Sequence, residues 1–173
     1  MQNERIKRIK ALAYDYGGRA KEAVERCNLC GGDYFVQISH NDRYGYPAAA
    51  FVCAQCGLVF LNPRMKAEAY AQFYSSVYRP LVSAYHGRLI DANSIQDEQK
   101  TYAKERAEFL APYLEGKSKG TLLDIGGSTG VVAKHFVDQF SYSGTVLDPS
   151  ADELREAAKL GLKTRQGFFE END

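Results

Sequence analysis

Tryptophan is absent from this 173-residue chain, methionine occurs only twice, and no apolar run approaches the ~20 residues needed to span a bilayer. An excess of charge is missing too, because 22 Lys and Arg balance 22 Asp and Glu. Binding to phosphate backbones normally shows as a basic excess, so this balance removes the electrostatic reason to expect nucleic acid as a partner. The stretch from Met1 to Ala20 is charged through its first half and has no apolar core segment or small-residue cleavage site, unlike a secretory signal. The expectation is a cytoplasmic protein without membrane contact. In that reducing compartment cysteines are more often metal ligands than disulfides. What is present is an ordinary globular mix, 45% hydrophobic and 25% charged, with an unusual supply of tyrosine, twelve in all.

Changes of texture divide the chain into four stretches. Residues 1–26 alternate charged and small apolar positions and predict an amphipathic N-terminal helix over 3–25, broken at Gly17-Gly18. Residues 27–63 turn to short β-rich runs, 34–38, 51–52 and 58–60, with turn chemistry at Asn41-Asp42 and at Tyr44-Gly45-Tyr46-Pro47. Residues 64–118 read as a helical linker or arm: a helix over 66–78, a loop or broken helix over 79–93, and a second helix over 94–110. In that second helix Ile95, Tyr102 and Phe109 share a stripe, with Ala103 and Leu110 beside it, and Pro112 closes it. Residues 119–173 show a β-α-β-α pattern: strand 121–125, turn 126–130, helix 131–140, strand 144–148, a Ser150/Glu153 capping box, and the start of a third strand at 162–166.

Cys27-x-x-Cys30 and Cys53-x-x-Cys56 use every cysteine in the chain. Two residues between sulfurs let each pair form a knuckle whose thiolates and nearby N–H groups turn toward one point. Four thiolates at ~2.3 Å satisfy the tetrahedral preference of Zn2+. A glycine follows each pair, Gly31 and Gly57, suiting the left-handed turn that knuckles demand. The intervening segment is long enough for a hairpin, the layout of a zinc ribbon. Two disulfides or four unrelated thiols are the competing readings. Four sulfur ligands leave no open coordination position, so such a metal would hold the fold and would not activate a substrate.

Asp124, Gly126, Gly127, Ser128 and Gly130 lie on a turn that follows a predicted strand and opens a helix. Glycines there let a ligand approach the backbone, and free N–H groups at the helix start favour its carboxylate or phosphate. A P-loop would need Gly-Lys-Ser/Thr, which is missing, and Ser128 breaks the dinucleotide pattern G-x-G-x-x-G. An S-adenosylmethionine (SAM) site remains, with the turn under the methionine part and Asp148, closing the second strand, accepting both ribose hydroxyls. A plain strand-to-helix corner without ligand, with Asp148 a turn residue before Pro149, is the alternative.

With these motifs the chain resembles the class I SAM-dependent methyltransferases, whose first motif is D/E-x-G-x-G-x-G; Asp124, Gly126 and Gly130 match it and Ser128 replaces the middle glycine. Upstream, the CxxCG pairs, the run from Cys53 to Pro63 and a Tyr-rich helix ending Tyr78-Arg79-Pro80 are similar to a bacterial subgroup carrying an N-terminal zinc ribbon. Members of that kind modify sugars and polysaccharides, C-methyltransferases of deoxysugars among them. The resemblance covers roughly residues 27 to 170 and implies an α/β fold: N-terminal helix, four-cysteine zinc ribbon, helical linker, then the first half of a Rossmann-like doubly wound parallel sheet. It also implies SAM and Zn2+ as cofactors and a small-molecule methyl acceptor such as a nucleotide-sugar. The rest of the sheet and the catalytic groups would lie outside this chain, C-terminal to it or on a second chain completing the sheet. No catalytic residue can be named; of the three histidines, His86 alone falls near a predicted substrate-facing loop. Two other functions compete: a non-catalytic zinc-ribbon module that binds protein or nucleic acid and carries a relic SAM half-site, and an RNA methyltransferase, which the charge balance disfavours.

Overall fold

β-branched and aromatic runs between the cysteine pairs form antiparallel strands, while the apolar runs after residue 120 form parallel ones. In the computed structural model, which describes residues 2–114, 116 and 119–169, they fall in separate compact units, Met1–Arg88 and Leu89–Asp173.

In the first unit, α1 (Gln2–Ala11) is followed by irregular chain and by β1 (Lys21–Glu22), which pairs antiparallel with β5 (Arg64–Met65). The helix predicted over 3–25 therefore ends at Ala11. Ala13 takes a left-handed conformation (φ 49°), and Tyr14 and Tyr16 turn inward to pack with Tyr46, Met65 and Ala69. Burial of those rings outweighs a helical continuation whose remaining positions are weakly apolar. Strands β2 (Phe35–Ser39), β3 (Ala50–Cys53) and β4 (Val59–Leu61) form an antiparallel sheet in that order. Between β2 and β3 the Asp42 carboxylate accepts the N–H groups of Tyr44 and Tyr46, both at 2.9 Å, closing the turn. Helix α2 (Ala67–Gln72) runs through a π-helical turn at Phe73–Val77 into α3 (Tyr78–His86). Of the loop or broken helix expected over 79–93, the part as far as His86 is thus helical. Pro80 lies in the first turn of α3, just after the π-helical turn.

The second unit begins with α4 (Gln96–Leu114), β6 (Thr121–Ile125) and α5 (Val131–Phe140). It continues with β7 (Ser143–Asp148), α6 (Ala151–Lys159) and β8 (Lys163–Gln166). The three strands form a parallel sheet in the order β6-β7-β8, with Asp124 opposite Val146 and Asp148 opposite Gln166. Leu122 and Val146 face the helices and pack with Ala133, Val137, Leu154, Ala157 and Leu162. The opposite face leaves Leu123 47% and Ile125 56% exposed. Helix α4 runs four residues past the expected end and carries Pro112 inside its last turns. It lies against α5 and buries Ala103 and Ala107, while Tyr102 and Phe109 stay exposed. Small side chains allow two helices to approach closely, and this leaves Tyr102 and Phe109 facing outward. No described helix is long and apolar enough to cross a membrane.

A four-cysteine cluster and a glycine corner

The two knuckles repeat one backbone solution. The Gly31 N–H donates to the Cys27 carbonyl at 2.8 Å, and the Gly57 N–H to the Cys53 carbonyl at 2.9 Å. Each turn is closed from outside, Cys27 N–H to the Gly32 carbonyl at 2.7 Å and Cys53 N–H to the Leu58 carbonyl at 2.9 Å. Gly31 and Gly57 both have left-handed φ, 75° and 78°, which is the reason a residue with a Cβ is disfavoured there. The sheet then brings the knuckles together, so the close sulfur pairs cross between them: Cys27 to Cys56 at 3.5 Å and Cys30 to Cys53 at 3.6 Å.

All four sulfurs lie within 4.8 Å of one another. Tetrahedral coordination at ~2.3 Å requires sulfur edges of about 3.8 Å, whereas a disulfide requires ~2.05 Å. The cluster fits the first and not the second, and all four thiols are free. N–H groups aimed at sulfur, that of Cys30 foremost and that of Leu29 behind it, lower the Cys27 thiol to about 7. Cys56 is pushed up to about 12: the Leu58 N–H opposes the rise, but desolvation and the three neighbouring sulfurs prevail. Four thiolates cannot coexist at this spacing without a cation. Cys27, Cys30, Cys53 and Cys56 could therefore hold a metal ion such as zinc.

The glycine corner follows β6. Asp148, at the end of β7 and only 7% exposed, turns its carboxylate onto the corner: Oδ2 accepts the Ser128 N–H at 2.9 Å and Oδ1 accepts the Ser150 N–H at 2.9 Å. Of the six residues singled out at this corner, Ser128 and Asp148 are thus directly bonded. The glycines meet different demands. Gly126 is left-handed (φ 69°) with open space where a Cβ would stand. At Gly127 a Cβ would strike the Asp124 carboxyl at 2.7 Å, so Asp124 is tucked under the turn. At Gly130 (φ 74°) it would strike Leu162 Cδ1 at 2.6 Å and Ala157 Cβ at 2.9 Å. Gly130 therefore serves helix packing, and Gly126 is the position that leaves the backbone approachable.

Burial, chiefly, raises the Asp124 carboxyl above its ordinary range; the Arg106 charge opposes this and the Asp148 charge adds to it. Gly130 caps α5 with no side-chain bond, so the first N–H groups of that helix depend on other partners. A cleft of about 220 Å³ in this unit lies between α4 and α5, lined by Lys100, Lys134 and His135 among others, and not over the corner.

Three residues that the sequence did not single out for the site, Gln99, Thr129 and Glu153, complete it. The Ser128 hydroxyl donates to the Glu153 carboxylate and receives the Gln99 amide at 3.2 Å, while the Thr129 hydroxyl donates to the Gln99 side-chain oxygen. Ser150 does cap α6, accepting the Glu153 N–H at 3.4 Å. Its own N–H goes to Asp148, which leaves the Glu153 carboxylate for Ser128 and the predicted reciprocal capping box half formed. The capping signal pointed at Glu153 for another reason, and nothing in the spacing marks Gln99. His86 lies exposed at the end of α3, its ring 5.2 Å from that of Tyr85. His135 lines the α4–α5 cleft, and the His40 ring nitrogen Nδ1 meets the Gln37 amide at 2.9 Å. Compared with known proteins, the chain matches no family model and no curated protein.

Proposed function

We propose that this chain is a SAM-binding portion of a methyltransferase acting on a small metabolite, a sugar by the resemblance of its motifs. The observation that carries this reading is the meeting of the 126–130 corner with the Asp148 carboxylate, at the carboxyl ends of two adjacent parallel strands. Ligands of open parallel sheets bind at that end. The parallel β6-β7-β8 arrangement is read as the first half of a Rossmann-like sheet, and the antiparallel sheet with its cysteine cluster as a zinc ribbon. The protein is taken to be cytoplasmic, with a small-molecule acceptor and no nucleic acid.

Each Asp148 oxygen accepts one backbone N–H, and a carboxylate offers about four acceptor positions, so two remain for a ribose diol. Asp124 and Asp148 together concentrate negative charge, which suits a ligand carrying ammonium and sulfonium charges. Gly126 leaves room for its methionine part, and the uncapped start of α5 suits its carboxylate. When bound, SAM supplies an electrophilic methyl group for direct displacement. The contribution assigned to these residues is orientation. A second reading, a binding module with a relic half-site, draws on one observation: both Asp148 oxygens are already engaged by the protein's own backbone.

Calorimetry of the zinc-loaded chain with SAM and its demethylated product separates the two. Saturable binding is expected, and Asp148→Ala should weaken it by ~1.5–3 kcal/mol for each charge-assisted hydrogen bond lost. Absence of heat at millimolar ligand from a folded sample favours the module, and an unchanged affinity in Asp148→Ala removes that residue from the site.

A further inference from the structure

The first unit carries a cluster of cations and aromatic rings that neither the cysteines nor the glycine corner uses. Arg5 and Arg8 stand one turn apart on α1, Tyr85 lies on α3, and Arg43 and Tyr44 lie on the turn between β2 and β3. The Arg5 guanidinium carbon sits 4.1 Å from the centre of the Tyr85 ring. That of Arg43 sits 4.9 Å from Tyr44 and 6.0 Å from the same Tyr85 ring. The two tyrosines meet edge to face at 5.2 Å and 84°, and Arg43 donates to the Tyr44 hydroxyl at 2.8 Å. Arg8 is fixed by donating Nε–H to the Ala84 carbonyl at 2.8 Å, with its outer nitrogens beside Gly87.

None of these three arginines is paired with a carboxylate among the described residues. The nearby acids are engaged elsewhere, Glu4 with Lys7 at 3.1 Å and Asp42 with the N–H groups of Tyr44 and Tyr46. Two unpaired cations, Arg5 and Arg43, share the Tyr85 ring and repel one another unless an anion joins them. The Arg5 guanidinium, lying over the Tyr85 ring, keeps its in-plane N–H fork free, and that fork matches an oxyanion; Arg43 spends one N–H on the Tyr44 hydroxyl and keeps its others. Because guanidiniums already lie over Tyr44 and Tyr85, the rings offer no open platform for stacking a base. From this geometry we infer that Arg5 and Arg43, backed by Tyr44 and Tyr85, form a binding site for a small diphosphate-type oxyanion. The site stands independently of the methyl-transfer reading, since every residue in it belongs to the first unit.

The probe is inorganic pyrophosphate, titrated into the full zinc-loaded chain by calorimetry, with tyrosine emission as a second signal that the absence of tryptophan leaves unobscured. Saturable binding is expected, roughly tenfold weaker in Arg5→Gln and in Arg43→Gln, the loss expected for one charge-assisted contact. Arg43→Lys should also weaken it, because it keeps the charge and loses the fork. Lys10→Gln removes the same charge from the same helix outside the cluster, without releasing the Glu4 carboxylate that Lys7 holds, and should leave affinity unchanged. Circular dichroism checks that each variant is folded, and SAM titrations of the same variants keep this test separate from the preceding one. No saturable binding at millimolar pyrophosphate would overturn the inference. So would equal losses in Lys10→Gln and Arg5→Gln, or binding only to single-stranded nucleic acid with a steep salt dependence.

Discussion

The cysteine knuckles and the glycine corner use the same device, a left-handed glycine that turns backbone N–H groups toward a shared point, yet they depend on distance along the chain very differently. Each knuckle closes within six residues, 27–32 and 53–58, and its second copy repeats the hydrogen bonds of the first. The corner exists once and is held by residues far away: Gln99 on α4, Asp148 on β7 and Glu153 on α6. A ligand that binds through the knuckles' own atoms is therefore legible from spacing, while a ligand at the corner depends on what tertiary structure delivers there.

The largest expected effect tests whether the knuckles are self-contained. Cys53→Ser, or metal removal by a chelator, should unfold residues 27–61 while amides of the 121–166 sheet keep their exchange protection. Structural zinc in small domains contributes on the order of 10 kcal/mol, so the loss should be plain in hydrogen exchange and in metal content by mass spectrometry. Loss of protection in both regions together would break the contrast, and a folded chain with well under one metal per molecule would remove the metal from it.

A smaller effect should separate the glycines of the corner. Gly130→Ala adds a Cβ 3.2 Å from the Ala157 backbone and closer still to two side chains, at a left-handed φ, and should cost about 3 kcal/mol in denaturant unfolding. Gly126→Ala meets open space and should cost about 1 kcal/mol for its φ alone, while weakening SAM binding if the proposed site is correct. Equal costs at the two positions would mean that the corner has a single role.

The smallest effect concerns charge. The folded Asp124 carboxyl is raised above its ordinary value of 3.8, mainly by burial, so folding favours its protonated form. Its stabilising contribution is complete below that value and is lost as pH rises through the raised one. Asp124→Asn should therefore raise the melting temperature of the second unit near pH 7, and the gain should vanish near pH 3. A gain that grows on acidification would reverse the assigned sign.

Much of the second unit was readable in advance, because β6, α5, β7, α6 and β8 alternate over short connections and carry their own periodicity. The misreadings fall where packing overrode pattern. Tyr14 and Tyr16 left the predicted N-terminal helix to enter an aromatic cluster, and α4 ran on to Leu114, past the end expected at 110. Gln99 and Arg106 reach the corner from a helix that begins 25 residues before β6, a relation no local motif records.

By itself the sequence determined the backbone geometry within each cysteine pair and the strand-turn-helix order around the glycines, since both follow from φ preferences and hydrogen bonds over a few residues. Only the tertiary structure decided which sulfurs cross between knuckles, that Asp148 and Glu153 converge on Ser128, and that Arg5 and Arg43 share one tyrosine ring. Each of those contacts joins residues at least 20 positions apart. The energy that sets them lies in packing and desolvation of whole elements, which no short stretch of chain encodes.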